Sequence, residues 1–169
     1  MGALRLSLRR TEVVPKGYAD TPGVIAPPPL IYAVPLVAGW FIDRTNPFPM
    51  MPANYAKWIG VAAIALGIAL MVFAGVQFWR KHTSVIPYTP TTAIVQSGPF
   101  RISRNPIYVA DTLCYVGVAI LLNTAWPLLV LPLVLLVMHR GVILREERYL
   151  EQKFGDEYNS YKVRVRRWL

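Results

Sequence analysis

Two polar motifs flank the last two apolar segments of this chain, and they contain the residues best suited to chemistry. Residues 98–108 (GPFRISRNPIY) come before these segments. The second motif follows them and comprises Arg140, Glu146, Glu147 and residues 154–161 (FGDEYNSY). Because the short turn Asn123-Thr124 joins the two segments, both motifs should return to the same side of a membrane. Guanidinium groups, carboxylates and phenols meeting at one membrane face predict a binding site.

The first motif has the pattern of a helix start that can bind an anion. Asn105 is a favourable N-cap and Pro106 suits the first helical position. Arg101 and Arg104 precede this start, and the positive end of the helix dipole adds to their charge. A carboxylate would suit such a site. Each arginine, taken alone, could equally be a membrane-topology signal.

Asp111 is an ionisable residue inside an apolar segment. It shares a helical face with Tyr108 and Tyr115, at spacings of three and four residues. A charge at membrane depth normally faces a polar cavity or a partner. We therefore expect Asp111 to lie in or beside the site, together with Tyr115.

The second motif offers acidic and basic side chains on a helix. Arg140 and Glu147 are seven residues apart and should share one helical face, whereas Glu146 projects about 100° away from Glu147. A solvated surface with weak ion pairs is the alternative. His82 and His139 have no ligand-like spacing, so no metal site is expected. The sequence lacks the glycine-rich phosphate and dinucleotide motifs, which excludes a Rossmann-type cofactor site.

Composition indicates a membrane protein. Of 169 residues, 54% are hydrophobic, which is high for a soluble domain. The net charge of +9 fits basic residues at membrane edges better than nucleic-acid binding. The single cysteine, Cys114, excludes a disulfide framework within the chain.

The apolar pattern predicts an all-α, integral-membrane bundle of about four transmembrane helices in a single domain. The predicted spans are 25–42, 58–79, 106–122 and 126–144, after a basic arm at 1–24 and before a tail at 145–169. Small residues of the second span should let neighbouring helices approach closely: Gly60, Ala63, Gly67 and Gly75. This topology puts sixteen of the eighteen Lys and Arg residues on one side. The positive-inside rule then predicts cytosolic termini and a cytosolic active site in a bacterial-type inner membrane.

Taken together, the motifs resemble the isoprenylcysteine carboxyl methyltransferase and phospholipid methyltransferase superfamily of integral-membrane enzymes. The shared pattern is Gly-Pro-Phe-Arg-x-x-Arg-Asn-Pro-x-Tyr, a helical hairpin, Glu-Glu, and Phe-Gly-x-x-Tyr-x-x-Tyr with a basic ending. It covers about the last 75 residues. Asn105 stands where the isoprenylcysteine enzymes have His.

The resemblance implies S-adenosyl-L-methionine as the methyl donor and a lipid-like or prenylated acceptor from the bilayer. The implied donor-binding residues are Arg101, Arg104, Asn105, Pro106, Tyr108, Tyr158 and Tyr161. Arg140, Glu146 and Glu147 are the candidate catalytic residues, and Glu146 or Glu147 could also contact the donor. Asp111 is not part of the family pattern; it is assigned to the acceptor, with Tyr115, from its position in the apolar segment.

Carboxyl O-methylation of an isoprenylcysteine-like substrate is the leading interpretation, because a carboxylate needs no general base. Thiol S-methylation and lipid amine N-methylation remain open, with Glu146, Glu147 or Asp111 as proton acceptors. A non-catalytic membrane assembly protein and a sterol- or quinone-reducing relative are also compatible with the pattern. The sequence gives no indication of oligomeric state.

Overall fold

The computed structural model describes residues 21–86 and 88–169, and this part of the chain is helical with no β-sheet. The predicted arm at 1–24 lies outside the described residues except for 21–24. The helices are α1 (Pro28–Thr45), α2 (Ala53–Arg80), α3 (Pro106–Leu121), α4 (Trp126–Met138), α5 (Leu144–Phe154) and α6 (Asp156–Arg164). A 3₁₀ turn, Gly98–Arg101, precedes α3, and a π turn, His139–Ile143, joins α4 to α5. The all-α prediction is confirmed.

Two helices in the described part are long and apolar enough to cross a membrane: Ala53–Arg80 and the continuous helix Trp126–Phe154. A bilayer core needs about 20 apolar residues. Trp58 and Trp79 lie near the two ends of α2 and are 64% and 77% exposed, as expected of interfacial side chains. Pro106–Leu121 is apolar but shorter. The count of about four spans stays a prediction.

Helix α3 lies between α2 on one side and α1 and α4 on the other. Its contact with α2 is unusually close because glycines replace side chains there. A Cβ atom at Gly60 would lie 2.6 Å from the Leu121 nitrogen, and one at Gly67 would lie 3.0 Å from the Ala110 oxygen. The prediction that small residues allow close helix approach is therefore confirmed at these two positions. Gly75 differs, since no atom lies within 4 Å of its Cβ position.

The two short inter-helix turns meet at one end of the bundle. Asn123, in the α3–α4 turn, has a φ of +53°. Its side-chain oxygen accepts from the Met50 and Met51 amides at 3.1 and 3.2 Å, and its nitrogen donates to the Met51 carbonyl at 2.9 Å. This network ties the α1–α2 turn to the α3–α4 turn. The start of α1, the end of α2, the start of α3 and all of α5 consequently lie at the opposite end.

The core between α1, α3 and α4 is formed by tyrosines and aliphatic side chains. Its buried members are Tyr32, Tyr108, Tyr115, Val134, Met138, Val142 and Ile143. The Tyr32 and Tyr115 rings pack with their centroids 5.8 Å apart. This core fixes the position of α3 relative to the helix that continues into α5.

Candidate functional site

A cavity of about 530 Å³ opens at the end of the bundle opposite the short turns. Its walls come from the start of α1, the end of α2, the segment 84–95, the start of α3, and α5 with α6. Predicted site residues in its wall are Arg104, Asn105, Pro106, Tyr108, Asp111, Glu146, Glu147, Tyr158 and Tyr161. The volume is within the range of small-molecule sites. The two polar motifs therefore converge on one cavity.

The first motif is held against α2 by a glycine turn. Gly98 has a φ of +59°, and a Cβ there would lie 2.9 Å from the Gln77 side chain. The Ser97 hydroxyl donates to Gln77 Oε1 at 2.9 Å, and the Phe100 ring meets Phe78 edge-on at 5.3 Å. A larger residue at position 98 would be strained and would clash. This packing fixes the loop that carries Arg104.

The carboxyl-terminal segment pairs with the same loop. Ser103 and Arg166 form an isolated parallel bridge, and the Arg104 amide donates to the Arg166 carbonyl at 2.9 Å. The Asn105 side-chain amide donates to the Arg167 carbonyl, also at 2.9 Å. Asn105 precedes α3 as predicted, but its side chain makes no capping hydrogen bond. Its amide instead fastens the tail to the cavity wall.

Glu147 is buried at the centre of an ionic cluster. Arg167 approaches its carboxylate with two nitrogens, Nε to Oε1 at 2.9 Å and Nη2 to Oε2 at 2.8 Å. Arg104 Nη1 lies 3.2 Å from Oε1. The hydrogen bonds from Arg167 raise the pKa of its guanidinium, because they favour the charged form. The prediction of site residues missed Arg167, for which the only signal was the basic ending of the second motif.

Arg104 keeps unused hydrogen-bonding capacity at the cavity. Its side chain is only 8% exposed; Nη1 is in the ion pair with Glu147, whereas Nε has no hydrogen-bond acceptor in the described part of the chain. A buried guanidinium with free N–H groups is costly unless a ligand accepts them. The Arg104 Nε–H is thus an unused hydrogen-bond donor on a residue of the cavity wall.

Glu146 lies on the neighbouring part of the wall. Tyr108 donates its hydroxyl hydrogen to Glu146 Oε1 at 2.7 Å, which joins α3 to α5 across the cavity. Asp111 lies one turn further along α3, lines the cavity and is half-buried. No described residue donates a hydrogen bond to Asp111. Within the described residues, the cavity therefore presents two carboxylates that are not in ion pairs.

Tyr158 and Tyr161 are buried in α6 and pack with Ile94. The Tyr161 hydroxyl donates to the Phe100 carbonyl at 2.8 Å, so α6 contacts the first motif. The pKa of Tyr158 is raised to about 12, mainly by burial and also by the nearby Glu147 carboxylate, while Arg104 opposes this increase. Burial also raises the pKa of Tyr161. Both phenols therefore stay neutral, and they contribute aromatic surface and hydrogen bonds to the cavity.

Three predicted site residues lie outside the cavity wall. Arg101 is exposed on the 3₁₀ turn. Tyr115 is buried in the α1–α3–α4 core, where its hydroxyl donates to the Pro127 carbonyl at 2.7 Å. Arg140 is exposed, whereas Glu147 is buried. The π turn between them adds a residue to the helical repeat, so the seven-residue spacing no longer puts both on one face.

The apolar part of the cavity had no recognisable signal in the sequence. It is formed by Met71, Gly75 and Phe78 of α2, by Val85, Ile86 and Ala93–Val95 of the following segment, and by Pro27–Pro29. The Ile25 amide donates to the Gly141 carbonyl at 3.2 Å, and Arg145 Nη1 donates to the Gly23 carbonyl at 2.8 Å. These bonds fix the proline segment against the π turn and α5.

Several known proteins share sequence with parts of this chain. An uncharacterized protein of Haemophilus influenzae is 41% identical over 63 residues, covering 37% of this chain and 79% of that protein. A probable protein-S-isoprenylcysteine O-methyltransferase of Oryza sativa subsp. japonica is 27% identical over 113 residues, covering 66% of this chain. The nickel-cobalt-cadmium resistance protein NccN of Alcaligenes xylosoxydans is 27% identical over 109 residues, covering 64%.

The chain spans 59% of the length of the rice protein and 50% of NccN. No solved structure matches. The model of the phospholipid methyltransferase family matches residues 55–157, from the start of α2 into α6. This match and the two apolar helices indicate an integral-membrane protein. The predicted resemblance is thereby confirmed, and the chain belongs to the phospholipid methyltransferase family.

Proposed function

We propose that this protein transfers a methyl group from S-adenosyl-L-methionine to a hydrophobic, lipid-like acceptor. The observation that carries the proposal is the cavity wall, where a buried arginine with an unbonded Nε–H lies beside carboxylates and opposite an apolar surface. Such a wall can bind a small zwitterion and an apolar group side by side.

The residues present fit the donor. Arg104 offers its unbonded Nε hydrogen to the carboxylate of the methionine portion. Glu146 and Asp111 offer negative charge to the ammonium and sulfonium groups. Tyr158 and Tyr108 add aromatic faces, which also attract cations. When bound, the donor supplies an electrophilic methyl group on a positively charged sulfur.

The chain's own contribution to the reaction is positioning and the exclusion of water. Displacement at a methyl group requires an in-line approach, so a correctly oriented pair of reactants gains most of the rate. Arg167 and Arg104 neutralise Glu147 and hold α5 against the first motif. Tyr108 and Glu146 fix the opposite wall. Burial of these groups keeps the reacting atoms away from bulk water.

Carboxyl O-methylation of an isoprenylcysteine-like acceptor is the proposed reaction. A carboxylate is already ionised, so no residue has to remove a proton. Arg140 does not contribute to orienting it in this proposal, since its side chain lies outside the cavity wall. The apolar wall from α2 and the proline segment suits the isoprenoid portion. We further propose that the cavity faces the cytosol, as the distribution of basic residues predicts.

A second candidate reaction rests on Asp111 and Glu146. These carboxylates line the cavity outside the Glu147 ion cluster and could accept a proton from a thiol or an amine. S- or N-methylation would use this capacity, whereas O-methylation of a carboxylate would not. The two reactions differ in the stability of their products.

Donor binding can be measured by calorimetry on the full chain in detergent. Tyr108→Phe combined with Glu147→Ala should abolish binding, because both walls of the cavity lose their fixed position. Tyr115→Phe is the matched control: it removes a buried hydroxyl from the same helix but outside the cavity, and binding should stay unchanged. Equal donor affinity in the double variant and the wild type would refute the proposed site.

The acceptor class can be identified with methyl-labelled donor and three sets of hydrophobic compounds, carrying a carboxylate, a thiol or an amine. A base-labile labelled product indicates an ester and supports O-methylation. A base-stable product supports S- or N-methylation and assigns proton acceptance to Asp111 or Glu146. Donor binding with no labelled product from any set would favour a non-catalytic membrane protein.

A further inference from the structure

Gly75 is the α2 glycine whose presence helix packing does not explain. At Gly60 and Gly67 of the same helix, a Cβ would lie 2.6 Å from atoms of α3. At Gly75 a Cβ would meet no atom within 4 Å. Glycine inside a helix is less favourable than alanine, and here no neighbouring helix offsets that cost. The open space above Gly75 is part of the cavity.

Gly75 lies in the middle of an apolar strip on α2. Met71, Gly75 and Phe78 are spaced by four and three residues, share one helical face and all line the cavity. Val72 and Phe73, which directly follow Met71 on this helix, are 60% and 53% exposed. The strip thus runs beside the lipid-facing surface of a helix long enough to cross the membrane.

The charged groups lie elsewhere in the cavity, on the loop before α3, on α3 and on α5. Arg104, with its unbonded Nε and an 8% exposed side chain, marks the position of a charged ligand group. The strip around Gly75 contributes no charged side chain. An apolar ligand group would therefore pack against α2, and the absence of a side chain at position 75 leaves space for that group.

We infer that Gly75 determines the size of the apolar group that the cavity accepts from the acceptor. This inference depends on the proposed function, because it presumes a hydrophobic acceptor beside a separate donor site. A side chain at position 75 would fill the space that a long chain uses. It would leave the donor contacts at Arg104 and Glu146 unaltered.

The test uses Gly75→Leu and Gly75→Ala in the full chain, reconstituted in lipid nanodiscs. The probes are S-alkyl N-acetylcysteines with chains from butyl to hexadecyl, whose binding is measured by calorimetry without turnover. Ala69→Leu adds the same side chain on the exposed face of α2 and is the matched control. Thermal unfolding of each variant checks folding independently of binding.

Gly75→Leu should weaken binding of the hexadecyl probe by about tenfold or more and change binding of the butyl probe by less than about twofold. Gly75→Ala should cause a smaller loss of affinity for the hexadecyl probe, and Ala69→Leu should cause no loss. Equal effects on all chain lengths, or no binding of any probe to the wild type, would overturn the inference. S-adenosyl-L-methionine affinity, measured in parallel, should be unchanged in every variant. If the wild-type protein does not bind S-adenosyl-L-methionine, the proposed function is contradicted, whatever the probes show.

Discussion

The two ends of the α2–α3 pair show opposite uses of glycine. At the end near the short turns, Gly60 and Gly117 bring the helix backbones so close that a Cβ at Gly60 would lie 2.8 Å from the Gly117 oxygen. At the cavity end, Gly75 has open space above it. The same residue type on one helix thus joins two helices at one end and leaves a cavity at the other.

This difference shows how a small membrane protein can combine a rigid part with a binding site. Close backbone contact supports dispersion packing without relying on the hydrophobic effect, which is weak between helices in lipid. The tight end fixes the relative position of α2 and α3. The open end can then expose polar groups to a ligand without loss of that geometry.

The largest expected effect comes from breaking the tight end. Gly60→Leu would force its side chain into the Leu121 backbone, where a Cβ would already lie 2.6 Å from the nitrogen. We expect a loss of about 3 kcal/mol in the free energy of unfolding. Gly75→Leu, the same substitution on the same helix, should leave stability unchanged or raise it by up to about 1 kcal/mol. Thermal unfolding in one detergent measures both, and equal shifts would contradict the comparison.

A smaller effect is expected from removing the charged group at the open end. Arg104→Gln removes the unbonded Nε–H and the guanidinium charge that pairs with Glu147, and it should weaken S-adenosyl-L-methionine binding by about 30-fold or more. Arg101→Gln, at the exposed arginine three residues earlier, should change affinity by less than about twofold. Calorimetry on both variants distinguishes a specific contact from general attraction by positive charge. Equal losses of affinity in the two variants would mean that binding depends only on net positive charge.

The smallest effect tests how precisely the open end is positioned. Arg167→Lys keeps the charge but loses the two-nitrogen approach to Glu147. Because Arg167 is 33% exposed, solvent screens part of this interaction, and we expect a loss of about five- to tenfold in donor affinity. Arg164→Lys, at an exposed arginine of α6, is the control. An unchanged affinity in Arg167→Lys would show that Glu147 needs only a nearby charge.

Regular patterns made much of this architecture predictable. Hydropathy located α2, α3 and α4 to within about six residues at each end, and Pro106 begins α3 as expected. The polar motifs flanking the hairpin converge because a tight turn at Asn123 reverses the chain. Most of the predicted site residues line the cavity for that reason. Local periodicity and short turns carry this information in the sequence itself.

The predicted site residues that lie outside the cavity wall, and Arg167, which was not predicted, depend on interactions that local sequence patterns do not encode. Arg140 was predicted from a regular α-helical repeat, but the π turn changes that repeat. Tyr115 fits the spacing of Tyr108 and Asp111, yet packing against α1 and α4 directs it into the core. Arg167 reaches Glu147 only because the tail pairs with Ser103 and Arg104, a contact between residues distant in sequence.

The wide turn at His139–Ile143 has a further consequence for how this family can vary. It rotates everything that follows it, so shortening the helix there by one residue would swing both acidic side chains about 100° around the helix axis. The same change would displace the hydrogen bond that the Ile25 amide donates to the Gly141 carbonyl. The number of residues between Trp126 and Glu147 thus determines which side chains face the cavity. Relatives that differ there by a single residue should present a different set of groups to their ligands, even with the same motifs.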